Sequence, residues 1–190
     1  MTPPDILYLH GFCSSPASWK ARVLADALAA RGLSERLICP FLSPVPNEAI
    51  EELEAIIVGH EGPLAVAGSS LGGFYATWLA EKYDLAAVLI NPVVAAPVSL
   101  EKYLGTQTNL HTRETFEFTA EHLAQLRALV VPRVTPSRYL LMVETGDEVL
   151  DYREAVARYA GCRQIVLPGG DHGFARFPEY VAQLIEFCGL

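Results

Sequence analysis

The stretch GSSLGG, residues 68–73, decides the fold because it joins the short apolar run 64–67 to a helical pattern over 72–83. A simple turn would use the glycines for permissive backbone angles and the serines to cap the helix. A phosphate-binding loop would need the lysine of G-x-x-x-x-G-K-[ST], and the next residues, FYA, bring no cation. The pattern G-x-S-x-G matches the first five residues instead. It predicts a sharp strand-to-helix turn that presents Ser70 as a nucleophile.

Short apolar runs alternate with helical patterns on both sides of this turn. Predicted strands cover 5–9, 36–39, 64–67, 86–90, 139–144 and 163–167, and predicted helices cover 16–31, 47–58, 72–83, 119–129, 152–159 and 178–187. Such alternation with continuously apolar strands is typical of a parallel sheet with helices on both faces. We therefore expect a compact α/β fold with a mostly parallel sheet of about six strands.

The alternation is interrupted once, over residues 93–138. This segment contains Pro97, Pro132 and Pro136, many polar residues and one clear helical pattern. It is too short to be a second domain. The sequence therefore predicts a single domain over residues 1–190, with 93–138 as a short cap-like insertion.

The composition argues against several classes of function. Lys and Arg number 14 against 22 Asp and Glu, a formal net charge of -8, whereas nucleic acid or an anionic membrane would be met by a basic face. No apolar run reaches the ~18 residues of a membrane span, and the amino terminus lacks the pattern of a secretory signal. The four cysteines have no zinc-like spacing. We expect reduced thiols, no metal and a cytoplasmic protein.

A serine nucleophile needs a base, and the base needs an anion that orients it. In a fold of this kind the order along the chain is Ser, then Asp or Glu, then His. His172, in GGDHGF after the last predicted strand, has the required position. Asp147, in ETGDE at the end of the preceding strand, is favoured as the acid over Glu148. Asp171 is expected at the surface.

An oxyanion hole needs two backbone N–H groups, one of them from the residue after the nucleophile. That residue is Leu71. The second donor is predicted to be Phe12, in the loop LHGFCSS after the first strand. His10 is interpreted as a buried histidine that braces loops. Cys13 follows Phe12, and the sequence leaves open whether its thiol is reactive.

The insertion offers aromatic side chains for a substrate pocket. Tyr103, Phe116 and Phe118 lie within it, and together they could cover a short to medium acyl chain. The alternative is that these rings only anchor the insertion to the rest of the domain.

These motifs resemble those of the α/β-hydrolases, and more narrowly those of the small YqiA-like esterases. The resemblance extends over nearly the whole chain and rests on LYLHGFCSSPASWK, GSSLGGFYATWLAEKY, INPVV, TGDEVLDYREAVARYAGCRQ and GGDHGF. It implies esterase or thioesterase activity on small acyl substrates, a triad of Ser70, His172 and Asp147, and no cofactor.

The predicted function is that of a serine hydrolase that cleaves carboxylic esters or thioesters with short to medium acyl groups through an acyl-enzyme. Two alternatives stay open. The same triad would serve an acyltransferase, and a hydrolase fold without activity would serve as a binding protein. The sequence makes no prediction about oligomeric state.

Overall fold

Strands connected by helices account for most of the chain, which a computed structural model describes over residues 2–190. In chain order the strands are β1 (Asp5–Leu9), β2 (Leu37–Ile38), β3 (Leu64–Ser69), β4 (Ala86–Ile90), β5 (Gly105–Thr108), β6 (Thr115–Phe118), β7 (Tyr139–Glu144) and β8 (Arg163–Leu167). Six of them form one sheet in the order β2-β1-β3-β4-β7-β8, and every pairing within it is parallel. The predicted α/β class and the six-stranded sheet are confirmed.

The α-helices connect these strands or extend the insertion. They are α1 (Trp19–Ala29), α2 (Pro46–Gly59), α3 (Leu71–Tyr83), α4 (Ala96–Ser99), α5 (Ala120–Ala128), α6 (Tyr152–Arg158) and α7 (Phe177–Phe187). Within residues 2–190, none of these helices combines the length and the apolar character that crossing a membrane would require.

Both faces of the sheet are buried, because successive side chains of a strand point to opposite sides. In β1, Ile6 and Tyr8 belong to a hydrophobic cluster that contains the buried residues of α1 and α7. Leu7 and Leu9 belong to the cluster on the other face, with buried residues of α2, α3 and α5. Burial on both sides explains why these strands have continuously apolar sequences.

The order of the strands reverses between β1 and β3, since the chain moves outward from β1 to β2 and then returns to the other side of β1. In parallel α/β sheets, ligands bind at the carboxyl ends of the strands where such a reversal opens a crevice. The loop after β1 and the turn between β3 and α3 meet at this crevice.

The insertion between β4 and β7 contains an antiparallel hairpin, β5–β6, that the sequence did not predict. Asn109, just after β5, donates through Nδ2 to the carbonyl oxygen of Ser14 at 2.8 Å. The N–H of Leu110 donates to the carbonyl oxygen of Cys13 at 2.9 Å. The hairpin is therefore fastened to the loop after β1, at the crevice.

Helix α3 approaches β1 so closely that two backbone segments touch. A Cβ atom on Gly72 would lie 2.0 Å from the carbonyl oxygen of Leu9, and one on Gly68 would lie 2.2 Å from the carbonyl oxygen of Gly72. These distances are far below van der Waals contact, and both partners are backbone atoms that no rotamer change can move. The glycines at both positions are therefore required by packing.

We predict that Gly72→Ala lowers the free energy of unfolding by roughly 3 kcal/mol, because α3 must shift away from β1 to accommodate the methyl group. Urea denaturation at neutral pH would measure the loss. The matched control is Gly59→Ala at the end of α2. There, within residues 2–190, the added carbon meets no atom within 4 Å apart from its chain neighbours and the backbone of its own helix. That variant should change the free energy of unfolding by less than about 1 kcal/mol. Equal effects of the two substitutions would contradict the proposed contact.

Candidate active site

Ser70 lies between β3 and α3 in a conformation that is unfavourable for a residue with a side chain. Its backbone angles are φ 55° and ψ -120°, and such strain costs on the order of 1–3 kcal/mol unless the surroundings impose it. The surroundings do impose it. The Ser70 N–H donates to the carbonyl oxygen of Ile90 at 3.1 Å, and its carbonyl oxygen accepts from Gly73 and Val93 at 3.0 and 3.1 Å.

The turn brings Ser70 to a histidine that comes 102 residues later in the chain. Nε2 of His172 lies 3.1 Å from Oγ of Ser70, and Nδ1 of the same ring lies 2.8 Å from Oδ2 of Asp147. An ionised carboxylate only accepts hydrogen bonds, so Nδ1 carries the proton and Nε2 is free to accept from the serine hydroxyl. The three side chains form a continuous hydrogen-bonded chain.

The carboxyl group of Asp147 is held by backbone groups as well as by the imidazole. Its Oδ1 accepts from the N–H groups of Val149 and Leu150 at 2.9 and 2.8 Å, and the side chain is only 2% exposed. Burial by itself would raise the pKa of Asp147. The hydrogen bonds from His172, Leu150 and Val149 outweigh burial, so this pKa lies below its usual range.

The neighbouring carboxylates have different partners. Glu148 is exposed, and its Oε2 accepts from the backbone N–H of His172 at 3.0 Å. It therefore contacts the main chain of the histidine loop, whereas Asp147 contacts the ring. Asp171 is exposed, as the sequence predicted.

The sequence did not identify Asn91, which directly follows β4. Its Nδ2 donates to the carbonyl oxygens of Asp171 and His172 at 3.0 and 3.1 Å, and its Oδ1 accepts from the N–H of Glu144 at 3.0 Å. One buried side chain thus joins the end of β7 to the loop that carries the histidine. The signal available in the sequence is a polar residue between an apolar strand and Pro92.

Glu144 supports the same loop from β7 and is fully buried. Its Oε2 accepts from the N–H of Asp171 at 3.0 Å, and its Oε1 accepts from Nε of Arg176 at 2.7 Å. The guanidinium group balances the buried charge, and a buried carboxylate would otherwise be strongly unfavourable.

We predict that Asn91→Ala slows the reaction of Ser70 with a fluorophosphonate probe by about 10- to 100-fold, because the imidazole loses its fixed position. Labelling rates followed by mass spectrometry, with thermal unfolding in parallel, would separate this effect from misfolding. Asn47→Ala, an exposed substitution on α2, is the control. Asn91→Asp retains the acceptor for Glu144 but places an anion against two carbonyl oxygens. Wild-type labelling in Asn91→Asp would contradict the role given to Nδ2.

The loop after β1 lies directly against the serine. A Cβ atom on Gly11 would lie 3.3 Å from Cβ of Ser70. Within residues 2–190, neither the N–H of Phe12 nor that of Leu71 donates to a protein acceptor. Both predicted oxyanion donors are therefore available to a ligand.

The ring of Phe12 packs against three aromatic rings of the insertion: Tyr103, Phe116 and Phe118, at centroid distances of 5.7, 5.8 and 5.1 Å.

His10 is 3% exposed and braces two loops, as the sequence suggested. Its Nε2 accepts from the N–H of Leu42 at 3.1 Å, and its Nδ1 lies 3.0 Å from the carbonyl oxygen of Gly11. Because Nε2 accepts, the ring is neutral with its proton on Nδ1. Burial lowers the pKa of His10, and the hydrogen bond to Gly11 only partly opposes this.

We predict that stability falls as the pH is lowered from about 7 to 5, and that His10 contributes to this fall. The folded protein resists protonation of His10, whereas the unfolded chain takes up the proton below about pH 6.5. The contribution of His10 is thus present above that value and is lost below it. The urea midpoint of the wild type should decrease more over this range than that of His10→Gln, whose amide oxygen can accept from Leu42. Equal decreases in both proteins would contradict the assignment.

Two cavities open at the site, and Phe12 lines both of them. The smaller has a volume of about 300 Å³ and is lined by Ser70, His172 and Tyr103, among others. The larger, of about 410 Å³, is lined by Phe116 and Phe118. The three predicted pocket aromatics thus divide between two cavities, and both volumes fall in or near the usual range for small-molecule sites.

Within residues 2–190, no group of three or more His, Cys, Asp or Glu side chains converges as the ligands of a metal ion would. All four cysteines are free. Cys13 lines both cavities, but burial raises the pKa of its thiol and so disfavours the reactive thiolate.

A strained serine turn at the carboxyl end of a central parallel strand, with Asp147 and His172 on the loops after β7 and β8, defines the fold as that of the α/β-hydrolases. Comparison with known proteins agrees. Residues 5–189 match the model of UPF0227, described as an uncharacterised protein family, and the chain belongs to this family.

Solved structures of low sequence identity share the fold. Alpha/beta hydrolase domain-containing protein 10 from mouse is 17% identical with a TM-score of 0.75, over 97% of this chain and 89% of that one. A putative hydrolase from Agrobacterium vitis S4 is 18% identical with a TM-score of 0.75, over 99% and 88%. Est1E from Butyrivibrio proteoclasticus is 13% identical with a TM-score of 0.71, over 98% and 87%. The predicted resemblance to α/β-hydrolases is confirmed.

Proposed function

We propose that this protein is a serine hydrolase that cleaves carboxylic esters or thioesters with short to medium acyl groups. The observation that carries the proposal is the position of Nε2 of His172. The bond from Nδ1 to Asp147 leaves Nε2 unprotonated, and it faces Oγ of Ser70 at 3.1 Å. A hydroxyl in that position can lose its proton as it attacks, which is the requirement for nucleophilic catalysis by serine.

The reaction would proceed in two stages. Oγ of Ser70 attacks the acyl carbonyl carbon while Nε2 of His172 accepts the hydroxyl proton. The carbonyl oxygen becomes an anion and binds the N–H groups of Phe12 and Leu71. The bond to the alcohol or thiol then breaks, and the leaving atom takes the proton from Nε2. Water attacks the resulting acyl-enzyme by the same steps in reverse and releases the acid.

Asp147 would keep the imidazole in the required tautomer and stabilise its protonated form during each stage. The three bonds that it receives from His172, Val149 and Leu150 support this role, because a carboxylate with a lowered pKa stays ionised throughout the neutral range.

The structural relatives support a hydrolase. One of them is the esterase domain of a Rhodothermus marinus protein, and another, Est1E, is known with ferulic acid bound. The free thiols support a reducing compartment such as the cytoplasm as the place of action.

We predict that Ser70→Ala abolishes both fluorophosphonate labelling and the hydrolysis of p-nitrophenyl esters, to below about a thousandth of the wild-type rate. The neighbouring hydroxyl provides the matched control. Ser69 is buried at the end of β3, and Ser69→Ala should retain most of both activities. Labelling would be followed by mass spectrometry and hydrolysis by release of p-nitrophenol.

Two outcomes would overturn the proposal. Wild-type protein that neither labels nor hydrolyses any ester would contradict a serine hydrolase. Loss of activity in Ser69→Ala with retention in Ser70→Ala would contradict the assignment of the nucleophile. Measuring free acid against transferred ester in the presence of an added alcohol would separate hydrolysis from acyl transfer.

A further inference from the structure

The two cavities meet where the carbonyl group of a substrate would bind. Both are lined by Phe12, Cys13 and Leu71, and the backbone N–H groups of Phe12 and Leu71 are the predicted oxyanion donors. A planar ester carbonyl held there has two substituents that diverge from its carbon atom. One cavity is therefore available for each half of the ester.

The position of His172 decides which half enters which cavity. In the mechanism above, Nε2 must deliver a proton to the leaving oxygen or sulfur, so that atom must come within hydrogen-bond distance of the ring. His172 lines the smaller cavity and does not line the larger one. The leaving group therefore fits the smaller cavity, and the acyl group fits the larger.

We propose that the larger cavity is an acyl-binding site that selects bulky, uncharged acyl groups, aromatic ones above all. The assignment rests on the proposed function. Aromatic side chains surround the space: Phe12, Phe41, Tyr75, Phe116 and Phe118. Rings of this kind gain both buried apolar area and favourable ring contacts when they enclose another ring.

The charges of the residues that line the larger cavity also favour uncharged acyl groups. Among the described residues that line the larger cavity there is no Lys or Arg, and Glu114 contributes a carboxylate. An acyl group that carries a free carboxylate would be repelled by the carboxylate of Glu114 and would find no compensating cation. Its carboxylate would also lose its hydration on entering the cavity. We therefore expect half-esters of dicarboxylic acids to be poor substrates.

Phe41 marks the outer part of this cavity. Its side chain is 42% exposed although it is large and apolar, and its ring lies 5.9 Å from that of the buried His10. The exposed part of the Phe41 ring would be buried when an acyl group covers it, and the burial of this apolar area would favour binding. Phe41 is thus a specificity-determining residue under this proposal.

The experiment compares two substitutions on the two cavities. Phe41→Ala alters only the larger cavity, and Leu110→Ala alters only the smaller one. Both side chains are substantially exposed, Leu110 by 66%, so both variants should fold. Each variant is assayed on two substrate pairs. The acyl pair is p-nitrophenyl phenylpropanoate against p-nitrophenyl acetate, and the leaving-group pair is phenylpropyl acetate against methyl acetate.

Phe41→Ala should lower the ratio of kcat/KM values of the acyl pair by about tenfold, the effect of losing about half of one buried aromatic contact. The ratio of the leaving-group pair should change less than twofold. Leu110→Ala should instead lower the ratio of the leaving-group pair and change the ratio of the acyl pair less than twofold. The succinate half-ester of p-nitrophenol should be a poorer substrate than p-nitrophenyl acetate. The proposal would be overturned if Phe41→Ala changed mainly the leaving-group ratio and Leu110→Ala mainly the acyl ratio, or if each variant changed both ratios equally. Neither result would contradict the assignment of the protein as a serine hydrolase.

A binding measurement tests the cavity independently of the chemistry. In a Ser70→Ala background, benzylacetone carries the same phenylpropanoyl group as a neutral ketone that cannot be cleaved. Calorimetry should show that Phe41→Ala weakens its binding and that Leu110→Ala does not. If wild-type protein neither labels nor hydrolyses esters, the proposed function fails, and this measurement still decides whether the larger cavity takes the acyl-like group. Unchanged binding in Phe41→Ala would refute the site.

Discussion

The strained backbone at Ser70 is the constraint on which the rest of the site depends. With φ at 55°, the chain turns from β3 into α3 within one residue. The serine hydroxyl therefore stands above the sheet, and the next N–H group, that of Leu71, is the first of the helix. The proposed nucleophile, one proposed oxyanion donor and the positive end of the helix dipole are thus fixed by a single local conformation.

The neighbouring strands of the sheet stabilise that conformation. Hydrogen bonds from β4 and the segment after it hold both the N–H and the carbonyl group of Ser70. The glycines allow α3 to lie against β1. The strain is therefore offset by packing and hydrogen bonds spread over three neighbouring strands.

The part of the site that the sequence predicted is the part encoded locally. Ser70 requires small residues two positions away on each side, and Asp147 and His172 follow strands whose apolar character is visible in the sequence. Asn91 and Glu144 act across about 80 and 27 residues through hydrogen bonds to the main chain, and no local pattern encodes such contacts. The β5–β6 hairpin was missed because its strands are only four residues long and β5 is polar. Its turn is held by a side chain that bonds to a distant loop.

Distant contacts of this kind hold the loop after β8 that carries His172, the proposed catalytic base. Over residues 2–190 the ring of His172 has two polar partners, Ser70 and Asp147, so its position also depends on how its backbone is held. That backbone is held by Asn91, directly after β4, and at the adjacent Asp171 by Glu144 from β7. From α1, Nζ of Lys20 donates to the carbonyl oxygen of Gly173 at 2.8 Å. Burial lowers the pKa of Lys20 to about 8 in spite of the nearby carboxylates, so the ammonium group is still largely charged at neutral pH. Three elements of the scaffold therefore fix the loop before a substrate arrives, which is the condition under which an imidazole can move a proton without first being reoriented.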